Sequence, residues 1–414
     1  MQPQPTSTTT FEESAAELGK NLAATLSTAI TTLAPPSTGP QQLAKLAGVD
    51  KGIASRLLTA IRARDPFTTL SRIPGPEPVR RIIRALQRRG TATEIVRSAE
   101  LAIDQFEQFV RQSAGDRATF DGIIAQLLPD ARRQFESRTR QLLYRGHSQL
   151  KGFSSELEFT TVLVQPSREG DFVDYIVLFG MQGLRRHRPG AEVRLATWMM
   201  FHDRPPWQLT TLDGQPLTDW SAGRLDDFST APPPRIRVRE SGDTYLYTLA
   251  DENFGPDSSV DLVFAQWSRN TAPLYSDPPE RRRTGLGAEV DRPTRVLQLD
   301  ALVRDDVYPD CEPELFMIDT SFRGMANIND PGRAPDRIDG GETITPLGRD
   351  PRNFRSALVA RYGEMLTEVA RKAGSDLKRF RGYRTVIEYP PYGSQITMGF
   401  PRPFRPDTDA SPAS

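Results

Sequence analysis

Between residues 45 and 97 this sequence sets twelve basic side chains against four acids: Lys45, Lys51, Arg56, Arg62, Arg64, Arg72, Arg80, Arg81, Arg84, Arg88, Arg89 and Arg97. Such a local excess suits a polyanion, because each phosphate that is neutralised releases condensed counterions. A solvated helix face would carry the same charges, so charge alone leaves both readings open. The net charge of zero, 53 basic against 53 acidic residues, conceals the asymmetry. Residues 1–150 hold 20 Lys and Arg against 14 Asp and Glu, which leaves 33 and 39 for the other 264 residues.

Other clusters carry less chemistry. In "MQGLRRHRPG" (181–190), Arg185, Arg186, His187 and Arg188 crowd a hairpin-like turn. They form a candidate anion-binding site or a second DNA contact, with a solvated hairpin tip as the alternative. "FHDRPPW" (201–207) places His202, Asp203 and Arg204 at a strand end, where a general base is conceivable but a hydrogen-bonded turn fits the Pro-rich context better. "TGLGAEVDRP" (284–293) has two glycines, but the charged approach "PPERRR" points to a loop and not to a phosphate cradle. Asp305, Asp306, Asp310, Glu312 and Glu314 surround Cys311 without the spacing of a calcium loop. The sequence contains no G-x-S-x-G, phosphate-binding loop, strand-bound G-x-G-x-x-G or H-E-x-x-H. The single cysteine excludes an intramolecular disulfide, and the three histidines lie far apart. No catalytic residue, metal or cofactor is expected.

The elements that position the basic cluster follow from periodicity. Phe11, Ala15, Leu18, Leu22, Leu26, Ile30 and Leu33 step by three and four, which predicts one helix over 10–33. After "APPSTGP", Pro40 suits the first position of a second helix, 41–47, with Thr38 or Gly39 as its cap. Gly48 ends it, and Asp50 caps a third helix from about 51 to 64. "RDPFTTLSRIPGPEP" reads as a loop or a short wing-like strand around 67–73, and helical periodicity resumes from Val79. Helices at 93–113 and 119–145 follow, the second with Pro129 as a kink, as a packed hairpin or a dimerisation element.

From residue 151 the period changes to two. Strands are expected at 157–165, 171–180, 191–201, 235–240, 243–250, 260–267, 294–300, 314–320, 384–389 and 394–400. One helix, about 351–377, interrupts them. Strands segregate from helices instead of alternating with them, which predicts an α+β chain. The expected order is an all-α helix-turn-helix bundle over 1–90, a helical connector over 91–150 and a mainly antiparallel β-rich α+β domain over 151–403. A disordered tail is expected over 404–414.

The stretch "LAKLAGVDKGIASRLL" (43–58) explains how the basic cluster would be used. Ala44 is the small residue where two helices meet and Gly48 makes the turn. Leu43, Ala47, Val49, Ala54, Leu57 and Leu58 lock the angle, leaving Lys51, Gly52, Ser55 and Arg56 facing outward. The order Leu-Ala-x-x-Ala-Gly-Val-x-x-x-x-x-Ser-Arg-x-Leu resembles the helix-turn-helix of lactose-repressor-type regulators. It is also similar to the winged helix-turn-helix of IclR-type regulators over the same residues, 41–62. The resemblance implies that Ser55 and Arg56 lie near the groove or its phosphates, with Lys51 at the helix start. Arg62 and Arg64 extend the DNA-binding set.

The sequence therefore predicts a DNA-binding transcriptional regulator that contacts duplex DNA, as a homodimer if the connector pairs, with the β-rich domain sensing an effector or oligomerising. Two other classes stay open: an interaction protein whose basic helices dock on an acidic partner, and an enzyme acting on an anionic substrate in the β-rich domain. No apolar run reaches the length of a membrane span, and the N-terminus lacks the pattern of a secretory signal, so a cytoplasmic location is expected.

Overall fold

The computed structural model describes residues 10–32, 38–199, 207–251 and 253–405. The chain divides into two compact units, Met1–Arg138 and Thr139–Ser414. The first is helical and the second β-rich, an α+β chain as the sequence predicts.

The first unit contains α1 (Phe11–Thr31), α2 (Pro40–Ala47), α3 (Lys51–Ile61), α4 (Pro66–Arg72), α5 (Pro76–Gln87), α6 (Thr93–Ala114) and α7 (Arg117–Gln126), and α8 (Pro129–Lys151) begins within it. Thr10 and Glu13 form a capping box at the start of α1: the Thr10 hydroxyl accepts from the Glu13 amide at 3.3 Å, and the Glu13 carboxylate accepts from the Thr10 amide at 2.9 Å. Leu22, Leu26, Leu57, Ile82, Phe106 and Phe120, from five different helices, lie in one core. The expected connector helix α6 therefore shares one core with α2 and α3, packed along α1 and α5.

Two expectations here are corrected. Residues 66–72 form α4, not a loop or wing strand. Asp65 caps it, its carboxylate accepting from the Thr68 amide at 2.7 Å and the Thr68 hydroxyl at 2.8 Å, and Pro66 sits at the first helical position, where a missing N–H costs nothing. Pro129 does not kink one helix: α7 ends at Gln126, and Pro129 starts α8.

The second unit is built on a seven-stranded sheet in the order β11-β12-β9-β1-β2-β7-β4. These strands are β1 (Phe153–Pro166), β2 (Phe172–Arg186), β4 (Gln208–Thr210), β7 (Val260–Pro273), β9 (Thr294–Arg304), β11 (Thr345–Gly348) and β12 (Phe380–Glu388). Its neighbouring strands pair antiparallel except β1 and β9, which pair parallel. Two three-stranded sheets accompany it: β10 (Glu314–Asp319), β13 (Ser394–Pro401) and β8 (Arg283–Val290), and β3 (Arg194–Met199), β6 (Thr244–Leu249) and β5 (Ile236–Ser241). Strand alternation divides the core. On β1, Leu157, Phe159 and Leu163 pack with Tyr362, Met365 and Val369 of α9 (Tyr362–Lys372), while Val162 and Val164 pack with Leu286, Met398 and Phe400 of the β10-β13-β8 sheet.

The helix expected over 351–377 is shorter than its pattern. A 3-10 turn forms at Pro351–Phe354, then Ser356 accepts from the Leu358 and Val359 amides at 3.1 and 3.4 Å and Arg361 adopts a left-handed φ of 56°, so the α-helix begins at Tyr362. The glycines of 284–293 belong to β8 and not to a loop. A Cβ at Gly287 would stand 2.6 Å from the Ile396 carbonyl oxygen of β13, so the residue answers a close approach of two strands. The expected tail falls outside the described residues beyond 405.

Candidate nucleic-acid interface

The α2–α3 pair forms from its own local chemistry. Gly48 takes the left-handed conformation (φ 64°, ψ 38°) that ends α2, and the Gly48 and Val49 amides both donate to the Ala44 carbonyl, at 2.9 and 3.2 Å. Asp50 then caps α3, its carboxylate accepting from the Gly52 amide at 2.6 Å. Two helices thus meet across a three-residue turn, 48–50.

At about 100° per residue, the side chains of α3 separate cleanly. Ala54, Leu57, Leu58 and Ala60 are buried. Lys51, Arg62, Ser55, Thr59, Gly52 and Arg56 follow one another around an arc of about 140° on the opposite side. Of these only Ser55 is partly covered. Five of the six residues expected to touch DNA therefore share a solvent face, and Arg64 is exposed just beyond the helix. Arg62 is tied down at one end, donating from Nη2 to the Thr38 carbonyl at 2.8 Å. Lys51, Arg56 and Arg64 have no carboxylate within ion-pair distance among the described residues. The Asp50 carboxylate occupies the Gly52 amide at the start of α3, which leaves the exposed cations of the arc as the groups placed to meet an anion there.

A second basic element was in the sequence but was not singled out as a site. On α5, Val79, Ile82, Ile83, Ala85 and Leu86 are buried, which turns Glu77, Arg81, Arg84 and Arg88 outward within about 60° of arc. Arg84 reaches Glu77 at 3.5 Å with both side chains more than half exposed, and Arg81 and Arg88 have no acidic partner among the described residues. The i, i+3, i+7 spacing of 81, 84 and 88 was the available signal. Arg80, one position away, points elsewhere and is engaged by Asp104 at 2.7 Å and Glu107 at 2.5 Å.

The residues of the other candidate anion site are not brought together. β2 continues through Arg186, and its alternation sends neighbouring side chains to opposite faces. Arg186 is buried, and all three guanidinium nitrogens donate to carbonyls: Nε to Ala191 at 2.7 Å, Nη2 to Leu249 at 3.3 Å, and Nη1 to Asp251 and Asn253. Arg185 pairs with Glu156 at 2.9 Å. Partial burial and the Arg185 charge push the His187 imidazole down, favouring its neutral form, and its Nε2 lies 2.8 Å from the buried Ser154 hydroxyl. Arg188 donates to the Leu150 carbonyl at 3.4 Å. His202, Asp203 and Arg204 lie outside the described residues. Of the five acids around Cys311, three are matched by arginines: Asp305 by Arg349, Asp306 by Arg304, and Glu314 by Arg283 and Arg337. No three His, Cys, Asp or Glu side chains among the described residues are placed to hold a metal ion.

No protein-family model matches this chain, and no curated protein matches it. Among solved structures it is similar to the M1 zinc metallopeptidase from Deinococcus radiodurans, at 9% identity and a TM-score of 0.23, over 60% of this chain and 42% of that one. A two-domain M1 zinc metallopeptidase mutant bound to L-tryptophan matches at 9% identity and a TM-score of 0.24, over 60% of this chain and 43% of that one. The chain spans less than half the length of these structures. Likeness at that level is too slight to carry a fold or an activity across. Among the described residues, no helix is long and apolar enough to cross a membrane.

Proposed function

We propose that the N-terminal unit binds duplex DNA and that the protein acts as a transcriptional regulator. The observation that carries this reading is the exposed polar and cationic arc of α3, set behind a helix-turn-helix turn and accompanied by the exposed arginines 81, 84 and 88 of α5. Exposed cations without acidic partners keep their full charge for phosphates, and each such contact releases counterions. Arg56 and Ser55 are the groups on the arc able to meet base edges, Arg56 through a bidentate contact with guanine. The remaining contacts fall to the backbone, so affinity for duplex DNA should exceed discrimination between sequences.

The test is fluorescence anisotropy of the full chain with a labelled random-sequence duplex, beside the Lys51→Ala/Arg56→Ala variant. Weakened binding by a variant that keeps the parent circular dichroism spectrum supports the arc as the contact surface. Equal affinity of parent and variant refutes it. An effector acting through the β-rich unit, and pairing of two copies, extend the same proposal. An effector can change DNA affinity only by binding two arrangements of the protein unequally.

A further inference from the structure

Between the seven-stranded sheet and the β10-β13-β8 sheet lies a cavity of about 500 Å³, within the range of small-molecule sites. Val162, Val177, Leu286, Ala288 and Ile328 give it apolar walls. Most of its polar groups are satisfied by neighbours. Thr284 shares a hydrogen bond of 2.8 Å with Tyr308, and the Gln395 amide donates to the Ala326 carbonyl at 3.2 Å and the Thr397 hydroxyl at 3.0 Å.

Tyr175 and Arg402 are different. The Tyr175 hydroxyl has no hydrogen-bond partner among the described residues. Arg402 Nε is buried without an acceptor, and Nη1 reaches only the Tyr275 carbonyl, at 3.5 Å. Arg283, also in the wall, repeats the pattern, with Nε buried and unpaired while Nη2 meets Glu314 at 3.1 Å. The Arg402 and Arg283 Nε donors are buried without acceptors, which is costly and rare in native structures without a reason. Burial pushes the Tyr175 phenol well above its ordinary range, with Tyr308 adding to the rise and Arg402 opposing it, so the phenol remains a donor at neutral pH, and it lines the same cavity as Arg402. Glu289 lies elsewhere in the lining, where burial and Asp291 raise its carboxyl, and a second negative charge on a ligand would meet it unfavourably.

We propose that this cavity binds a small monocarboxylate with an apolar body, its carboxylate held by Arg402 and Tyr175 and its body lying against Val162, Val177 and Leu286. The assignment is independent of the DNA-binding reading.

The experiment is isothermal titration calorimetry of the full chain with octanoate, octanol and acetate as probes. Octanoate should bind saturably at one site, with octanol and acetate at least about tenfold weaker, because each lacks one half of the match. Tyr175→Phe and Arg402→Gln should each weaken octanoate by about tenfold or more. Tyr175→Phe removes a hydroxyl that no group among the described residues uses, so the unliganded variant should melt no lower than the parent. That variant carries the test if Arg402→Gln fails to fold. Absence of octanoate binding, equal affinity for octanol, or octanoate affinity unchanged in Tyr175→Phe overturns the proposal.

Discussion

Replacing Arg81, Arg84 and Arg88 of α5 with alanine should change how steeply DNA binding depends on salt. The three side chains are exposed, so each substitution should alter stability by no more than about 0.5 kcal/mol. Each phosphate contact contributes about 0.9 to the slope of log K against log salt, so three contacts contribute about 2.7. Between about 50 and 200 mM salt, one contact corresponds to a factor of about 3.5, and three to about 40. Arg84 shares itself with Glu77 at 3.5 Å, which sets a lower bound of about 1.8 for the change in slope. The assay is anisotropy with a labelled duplex at four or more salt concentrations, comparing parent and triple variant. A triple variant with the parent's slope and an unchanged circular dichroism spectrum would refute a phosphate-contacting role for α5.

Three further outcomes follow from local chemistry. Gly48→Ala should destabilise the α2–α3 pair by about 1–2 kcal/mol, because φ is 64° and no atom lies within 4 Å to add a steric cost; loss of hydrogen-exchange protection in α3 would report it. Asp65→Ala removes the two hydrogen bonds that start α4 and should cost about 1 kcal/mol, read as faster exchange of the α4 amides. Arg384→Met should cost about 3–5 kcal/mol in denaturant unfolding, because it strips the guanidinium that donates to the fully buried Asp300 at 2.8 and 2.6 Å and leaves that carboxylate with Tyr362 and Gln298. Burial already pushes the Asp300 carboxyl up, opposed by Arg384. In the variant the folded-state pKa rises further, the folded chain retains a proton that the unfolded chain releases, and stability falls as pH rises above the unfolded carboxyl value of about 3.9. Adding Asp300→Asn should restore part of the loss and remove that pH dependence.

The sequence was most informative where one residue type decides the backbone. Gly48 and Asp50 give the end of α2 and the start of α3, and strand alternation in 157–165 gives the two faces of β1. It was less so where a residue answers a partner distant in the chain. Gly287 resembles a turn residue until β13 lies against it. The pattern of 351–377 reads as one helix, yet Ser356 donates to Gln298 at 2.6 Å in the stretch that separates the 3-10 turn Pro351–Phe354 from α9. Arg186 looked like one of four loose cations, and only the fold shows it enclosed by carbonyls from 191, 249, 251 and 253. The α5 stripe was legible from spacing alone, because burial of Val79, Ile82, Ile83 and Leu86 follows from their helical period.

What separates nucleic-acid binding from docking on an acidic protein is competition. The full chain, bound to a labelled 30-base-pair duplex at low salt, should be displaced by unlabelled duplex at far lower concentration than by polyglutamate of equal total charge. Displacement by polyglutamate at an equal or lower concentration, or no binding of the duplex at all, would contradict a DNA-binding role for α3 and α5.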